Sequence, residues 1–114
     1  MNLPSILVPI ADEDPLIIPS AHREHKHGEP PISDDDILHV YRYGIEVDVN
    51  INRIPPTHIL VGTGQSGAVL YEIGVIERSW LPEETNEHII VHAMRARLSY
   101  ETAWLTLHYR AERQ

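Results

Sequence analysis

The stretch from His58 to Ile76, HILVGTGQSGAVLYEIGVI, constrains the fold of this chain more than any other segment. Its first three glycines spell G-x-G-x-x-G directly after an apolar, strand-like run. A dinucleotide-binding loop of this spacing needs a helix after it, because the pyrophosphate lies on the helix N-terminus. The residues that follow are instead β-branched and aromatic, with Gly74 in mid-run, which is typical of a strand. The segment therefore predicts a β-hairpin with a glycine-rich turn.

Helices are predicted from cap residues and apolar spacing. Ser20 caps a short helix through Lys26, and Ser33, with an acid three residues later, caps a second helix that runs to Tyr43. Two apolar residues and a tyrosine of this second helix, Ile37, Val40 and Tyr41, recur at helical spacing and are expected to face the core. A last helix begins at residue 98 or 99. Its apolar stripe comprises Tyr100, Trp104, Leu107 and Ala111.

Four strands are predicted between the second and the last helix, at residues 45–51, 58–63, 68–77 and 88–96. Residues 45–51 alternate apolar and polar types, as a half-buried strand does. We expect one α+β domain over residues 20–114, in which an antiparallel four-stranded meander packs with N-terminal helices and a C-terminal helix. Residues 1–19 contain four prolines and an acidic cluster, which predicts an irregular arm with one short edge strand at residues 5–8.

Charge and composition narrow the functional classes. The chain of 114 residues carries a net charge of −8, which argues against a general nucleic-acid binder. The charge is uneven, since residues 88–114 hold four arginines against two acids, and an anion site is expected there. The absence of cysteine excludes disulfides and zinc–thiolate sites, and it favours the cytoplasm. No apolar run approaches the ~20 residues that span a bilayer, and the N-terminal residues do not read as a signal peptide.

Histidines cluster in the segment AHREHKHGE, residues 21–29. His22 and His25 are three residues apart on the first predicted helix, close enough to share a metal, but spacing fixes no acidic third ligand. One alternative is a solvated helix end, because histidine and Lys26 complement the helix dipole. The other is acid–base chemistry or a phosphate contact. A metal site and a cofactor are therefore not expected.

A second group of candidate residues follows the last predicted strand. Strict alternation puts on one face His88, Ile90, His92 and Met94. His92 is the polar residue of a run that otherwise looks buried. It is either a histidine of the core or sheet edge whose hydrogen bonds are made within the protein, or an active-site imidazole. In the second case Arg95 and Arg97 would bind phosphate, because the arginine fork is bidentate and always charged. Glu72 is alone in an apolar strand, which predicts a structural ion pair with an arginine in preference to a base with a shifted pKa.

Three segments together resemble a known family: HKHGEPPISDDDILHVY, ILVGTGQSGAVLYEIGVI and IIVHAMRA. They are similar to the BrnT-like toxins of bacterial type II toxin–antitoxin systems, and especially to a related group of small actinobacterial proteins. The resemblance covers residues 21–107. The K-H-G match falls on Lys26, His27 and Gly28, and the hairpin match falls on Gly67 and Glu72. In the last strand Met94 takes the place of the family's arginine, and Arg95 that of its lysine.

The resemblance implies a RelE-type ribonuclease fold that binds RNA over the sheet face and cleaves mRNA without a metal. A base takes the ribose 2′-OH proton, an acid protonates the leaving oxygen, and cationic side chains stabilise the phosphate. The residues expected to act are His92 as acid or base, Arg95 and Arg97 on phosphate, His25 or His27 as a second imidazole, and Glu72 orienting one of them. The implied partners are a cognate antitoxin and mRNA, with self-association left open.

Two other functions stay open. The first is a non-catalytic interaction module on the same fold, whose acidic N-terminal half meets a basic or DNA-binding partner. Residues 1–50 hold ten acids against three bases, which suits such a partner. The second is a metal-dependent hydrolase that uses His22, His25 and His27. It ranks last because the chain has no paired carboxylates at usable spacing.

Overall fold

One mixed sheet organises the part of the chain that the computed structural model describes, residues 16–17, 32–77, 80–81 and 88–112. Along the chain the elements are β1 (Leu16–Ile17), α1 (Asp34–Tyr43), β2 (Ile45–Asn50), β3 (Thr57–Thr63), β4 (Leu70–Ile76), β5 (His88–Arg95) and α2 (Leu98–Glu112). The strand order is β1-β5-β4-β3-β2, and every pair from β2 to β5 is antiparallel. The structure thus confirms the α+β prediction of a four-stranded meander with an N-terminal and a C-terminal helix.

The sheet extends by one strand beyond the prediction. β1 comes from the proline-rich arm and pairs in parallel with the start of β5, Leu16 opposite His88 and Ile17 opposite Ile89. The predicted edge strand at residues 5–8, the predicted helix at residues 20–26 and most of the loop before β5 lie outside the described residues.

Helix α1 begins and ends where the sequence predicts. The Ser33 hydroxyl accepts a hydrogen bond from the backbone N–H of Asp36 at 3.2 Å, which satisfies one N-terminal donor. The acids of the first turn complement the helix dipole. The helix ends where the Gly44 N–H donates to the carbonyl of Val40 at 2.7 Å.

The hydrophobic core lies between α1 and the sheet. It consists of Ile32, Ile37, Val40, Tyr41, Leu60, Ile73, Val75, Ile90 and Ala93. The three α1 residues that were predicted to face the core are among them. Burying each large aliphatic side chain contributes about 1.5–3 kcal/mol, so this core contributes strongly to the stability of the fold.

The glycine-rich segment is a hairpin turn. β3 and β4 pair from Thr57 opposite Ile76 to Thr63 opposite Leu70, so a strand and not a helix follows the turn. Gly67 has φ +76°, a left-handed conformation that glycine adopts without steric cost. The Gln65 N–H donates to Asp36 Oδ1 at 2.8 Å and ties the turn to α1. The structure confirms the hairpin interpretation of the G-x-G-x-x-G match.

A β-bulge in β5 changes which side chains face the core. Gly74 is opposite His92, but the next β4 residue, Val75, is opposite Ile90, so Val91 is the extra residue. An extra residue reverses the alternation of faces beyond it. Ile90 therefore lies in the core, whereas His92 lies on the opposite face of the sheet. The prediction that His88, Ile90, His92 and Met94 share one face is therefore wrong, because the bulge puts Ile90 and His92 on opposite faces.

Helix α2 covers the other face of the sheet, where it packs against β2 and β3. Tyr100 and Trp104 of its predicted stripe are half-buried, but Leu107 is exposed. No helix in the described ranges is long and apolar enough to cross a membrane.

Candidate functional site

A buried carboxylate on the α2 side of the sheet organises the candidate site. The side chain of Glu72, in β4, is 0% exposed. It accepts hydrogen bonds from His92 Nε2 at 3.1 Å, from Arg97 Nη2 at 2.8 Å and from Arg97 Nε at 3.0 Å. A fourth bond, at 2.8 Å, comes from the backbone N–H of Arg97. We call Glu72, His92 and Arg97 the Glu72 cluster.

Local backbone geometry brings the three residues of the Glu72 cluster together. The bulge in β5 turns His92 onto the face that carries Glu72. Arg97 is the residue before α2, and its carbonyl accepts from the N–H groups of Tyr100 and Glu101 at 3.0 and 2.8 Å. It therefore occupies the cap position of the helix. The ion pair between Glu72 and Arg97 confirms the sequence-based interpretation of Glu72 as an arginine partner, and it fixes the start of α2 on the sheet.

The Glu72 carboxylate is ionised at neutral pH. Burial by itself raises the pKa of Glu72, but the hydrogen bonds from His92 and Arg97 outweigh it and lower the pKa to about 2. An ionised carboxylate can only accept hydrogen bonds, so Nε2 of His92 carries a proton. In the neutral ring Nδ1 is then the nitrogen with a lone pair.

The imidazole of His92 lies directly over Gly74. A Cβ atom on Gly74 would be 2.5 Å from His92 Nδ1 and 2.6 Å from His92 Cε1, closer than such contacts occur. It would also be 2.8 Å from Cγ2 of Thr57. The position of the ring therefore requires glycine at residue 74. From the sequence alone, Gly74 was only an interruption in a strand.

A hydrogen bond between Tyr100 and Asp48 joins α2 to β2. The Tyr100 hydroxyl donates to Asp48 Oδ2 at 2.8 Å, and the Arg97 guanidinium lies 4.8 Å from the centre of the Tyr100 ring. Burial raises the pKa of the Tyr100 phenol, and the bond to Asp48 raises it further. Sequence reasoning missed this pair, because 52 residues separate its members and only the packing of α2 brings them together.

The predicted arginine pair does not converge. Arg95 is opposite Tyr71 in the β4–β5 register, and Tyr71 packs against the core on the α1 side of the sheet. Arg95 therefore lies on the face opposite His92, because successive residues of a strand alternate between faces. Arg97 lies beyond the end of β5, and its side chain reaches Glu72 on the face that carries His92. The predicted second imidazoles, His25 and His27, lie outside the described residues, as does the third histidine of that segment, His22.

A separate set of buried polar groups lies on the α1 side. His58 is 2% exposed, and its Nδ1 is 2.6 Å from Glu46 Oε1. Its Nε2 lies 3.6 Å from Glu77 Oε1, beyond hydrogen-bond distance. Tyr41 and His88 form another buried pair, with the phenol oxygen 2.7 Å from His88 Nδ1. Sequence reasoning singled out none of these contacts, which tie neighbouring elements together through buried polar side chains.

Within the described ranges, no three histidine, aspartate or glutamate side chains are grouped so that they could hold a metal ion. Comparisons of the chain with protein-family models, curated proteins and solved structures gave no match. The function therefore has to be argued from the geometry of the Glu72 cluster.

Proposed function

We propose that this chain is the toxin of a bacterial toxin–antitoxin pair, a RelE-like, metal-independent endoribonuclease that acts on mRNA in the cytoplasm. The observation that carries the proposal is the hydrogen bond between His92 Nε2 and the buried Glu72 carboxylate, beside the half-exposed Arg97. An imidazole oriented by a carboxylate next to a cation is an arrangement that acid–base cleavage of a phosphodiester can use.

His92 is the acid–base residue of this proposal. Its side chain is 19% exposed, so solvent reaches part of it. Glu72 fixes the tautomer and stabilises the imidazolium that forms when Nδ1 accepts the ribose 2′-OH proton. The freed 2′ oxygen attacks the adjacent phosphorus, and the bond to the 5′ oxygen breaks. The leaving oxygen takes a proton from a second acid, for which His25 and His27 are the candidates.

Arg97 supplies the positive charge of this proposal. Its side chain is 54% exposed, although two of its nitrogens contact Glu72. In this proposal the exposed part of the side chain contacts a phosphate oxygen, while Nε and Nη2 stay on Glu72. Losing one such contact in the transition state costs about 2–4 kcal/mol, a rate loss of roughly 30- to 900-fold.

The test is RNA cleavage by the purified protein, with and without EDTA, on free and on ribosome-bound mRNA. We expect cleavage that resists the chelator and falls at least about 100-fold in His92→Gln. His108→Gln is the matched control, because it makes the same change at an exposed histidine of α2 outside the Glu72 cluster. Far-UV circular dichroism establishes that each variant is folded. Cleavage that His92→Gln retains, or that EDTA abolishes, would contradict the proposal.

A second candidate function is a non-catalytic interaction module on the same fold. The separation of Arg95 from Arg97 on opposite faces favours it, because a phosphate-cleaving site is expected to concentrate its cations. The net charge of −8 also suits a basic or DNA-binding partner better than RNA. This candidate predicts no cleavage of either RNA substrate and a stable complex with a basic protein. A complex that loosens steeply with added salt would support it.

A further inference from the structure

A second β-bulge lies in β2, the strand at the other side of the meander from β5. Glu46 is opposite Leu60 of β3, which belongs to the core on the α1 side of the sheet. Asp48 is opposite the neighbouring β3 residue, Ile59, so β2 has one extra residue between its two acids. The extra residue reverses the alternation of faces and turns Asp48 onto the α2 side. The two bulges therefore bring Asp48 and His92 onto the same face of the sheet.

The strand register places these two side chains in one row across the sheet. From β2 to β5 the residues that lie opposite one another in this row are Asp48, Ile59, Gly74 and His92. Neighbouring strands are about 4.8 Å apart, so the backbones of Asp48 and His92 are separated by about 14 Å. The start of α2 bridges this face, because Arg97 reaches Glu72 in β4 and Tyr100 reaches Asp48 in β2. A continuous line of polar contacts therefore runs from His92 through the start of α2 to Asp48.

The Arg97 guanidinium is held on two sides. Its Nε and Nη2 both donate to the Glu72 carboxylate, at 3.0 and 2.8 Å, which fixes one edge of the planar group. The ring of Tyr100, with its centre 4.8 Å from the guanidinium carbon, supports one face. An edge contact alone would let the plane tilt about that edge, and the ring restricts the tilt. Tyr100 therefore limits the orientations that the 54% exposed side chain of Arg97 adopts.

Tyr100 is in turn held by Asp48. The phenol donates to Asp48 Oδ2 at 2.8 Å, and Oδ1 of the same carboxylate accepts from the backbone N–H of Val49 at 2.8 Å. The carboxylate is thus anchored to β2 through one oxygen and to α2 through the other. Burial and the bond to Asp48 raise the pKa of Tyr100, so the hydroxyl keeps its proton and remains the donor at neutral pH.

We propose that Asp48 and Tyr100 are positioning residues of the ribonuclease site, which fix the plane of the Arg97 guanidinium for its contact with phosphate. The inference rests on the proposed function. Neither residue touches the reacting atoms, and both act through Arg97. Precise placement matters because a displacement of about 1 Å in an active site can cost roughly 100-fold in rate. The bulge in β2 then has a functional reason, since without it Asp48 would lie on the face away from α2.

The first test is a double-mutant cycle on RNA cleavage. Asp48→Ala and Tyr100→Phe remove the same hydrogen bond, so each should lower kcat about 10-fold with little change in KM, and the double variant should lose no more than either alone. Tyr100→Leu also removes the ring and should lower kcat about 100-fold. Asp35→Ala is the matched control, because it removes an exposed aspartate of α1, on the other side of the sheet. Urea denaturation establishes that each variant is folded under the assay conditions.

The second test needs no enzymatic activity. The exchange of the Arg97 Nε proton with water, followed by ¹⁵N NMR, measures how firmly the guanidinium is held, and the signal is assigned by its loss in Arg97→Lys. Exchange should be about 10-fold faster in Asp48→Ala, faster again in Tyr100→Leu and unchanged in Asp35→Ala. Faster exchange in this order, together with the expected kcat values, supports the proposal.

Unchanged proton exchange in Tyr100→Leu, or a kcat that Asp48→Ala leaves at the wild-type value, overturns the proposal. A Tyr100→Phe variant as inactive as His92→Gln also overturns it, because the hydroxyl would then take part in the chemistry itself. If the wild type cleaves no RNA, the proposed function fails, and the exchange measurement alone decides whether Asp48 and Tyr100 position Arg97.

Discussion

Replacing Glu72 by glutamine tests whether charge at this position holds α2 on the sheet. The substitution keeps the shape of the side chain but removes the negative charge that Arg97 and His92 share. It also puts an amide in the place of a carboxylate that accepts four hydrogen bonds within 3.1 Å. Arg97 is 54% exposed and stays hydrated when Glu72 is replaced, so the cost comes mainly from the lost stabilisation of the carboxylate and not from a stranded buried cation.

The expected loss follows from the pKa of Glu72. The folded state lowers it from 4.5 to about 2, a difference of about 2.5 units. At 1.36 kcal/mol per unit, ionisation of Glu72 contributes about 3 kcal/mol to the free energy of unfolding at pH 7. That is a large part of the ~5–15 kcal/mol that stabilises a typical domain.

The same pKa values fix the pH dependence. Since the folded state has the lower pKa, the contribution of Glu72 is fully present above about pH 4.5 and is lost as the pH falls through about 2. About 1.4 kcal/mol should remain at pH 3. Glu72→Gln lacks this contribution at every pH. The two proteins should therefore differ by about 3 kcal/mol at pH 7 and become more alike towards pH 2.

Urea denaturation followed by circular dichroism, at several pH values between 7 and 2, measures the difference. Glu101→Gln makes the same chemical change in the first turn of α2, outside the Glu72 cluster, and should alter stability by about 0.5 kcal/mol or less. A Glu72→Gln protein as stable as the wild type at pH 7 would refute the role of the charge. A deficit that stays constant down to pH 3 would refute the electrostatic explanation and leave a packing defect in its place.

Two further substitutions test other contacts. Gly74→Ala should push the imidazole of His92 away, because the added Cβ would be 2.5 Å from Nδ1. The chemical shifts of the ring nitrogens in ¹⁵N NMR should therefore change. Unchanged shifts would contradict the close approach. Tyr41→Phe removes the hydrogen bond of 2.7 Å to buried His88. It should lower the free energy of unfolding, measured by urea denaturation, by about 1–3 kcal/mol. A loss below about 0.5 kcal/mol would contradict a stabilising role for this bond.

The two helices and the four-stranded meander of the described fold could be predicted from local sequence signals. A helix capped by Ser33 and stopped by Gly44 depends on residues within one or two turns, and its predicted bounds agree with α1 to one residue. The β-hairpin between β3 and β4 likewise follows from residues that are neighbours in the chain. The four strands of the meander, β2 to β5, start and end within two residues of their predicted positions, whereas β1 was not predicted.

The candidate site was only partly predictable. An acid alone in an apolar strand needs a compensating cation, so Glu72 could be assigned an arginine partner from the sequence, and this pair forms. Which arginine it would be depends on how the chain bends between β5 and α2. Arg95 and Arg97 are equally plausible in the sequence, yet only Arg97 reaches Glu72, because Arg95 lies on the other face of the sheet.

By itself, the sequence determined the helix caps, the hairpin and the α+β class, because these depend on residues close together in the chain. It also determined that Glu72 needs a partner, because burying an unpaired charge is costly. Only the tertiary structure decided which face His92 occupies. The bulge at Val91 arises from pairing with β4, and one extra residue there reverses the alternation that the sequence predicts. The tertiary structure likewise decided that the ring of His92 lies over Gly74, since two strands must pair before either residue meets the other.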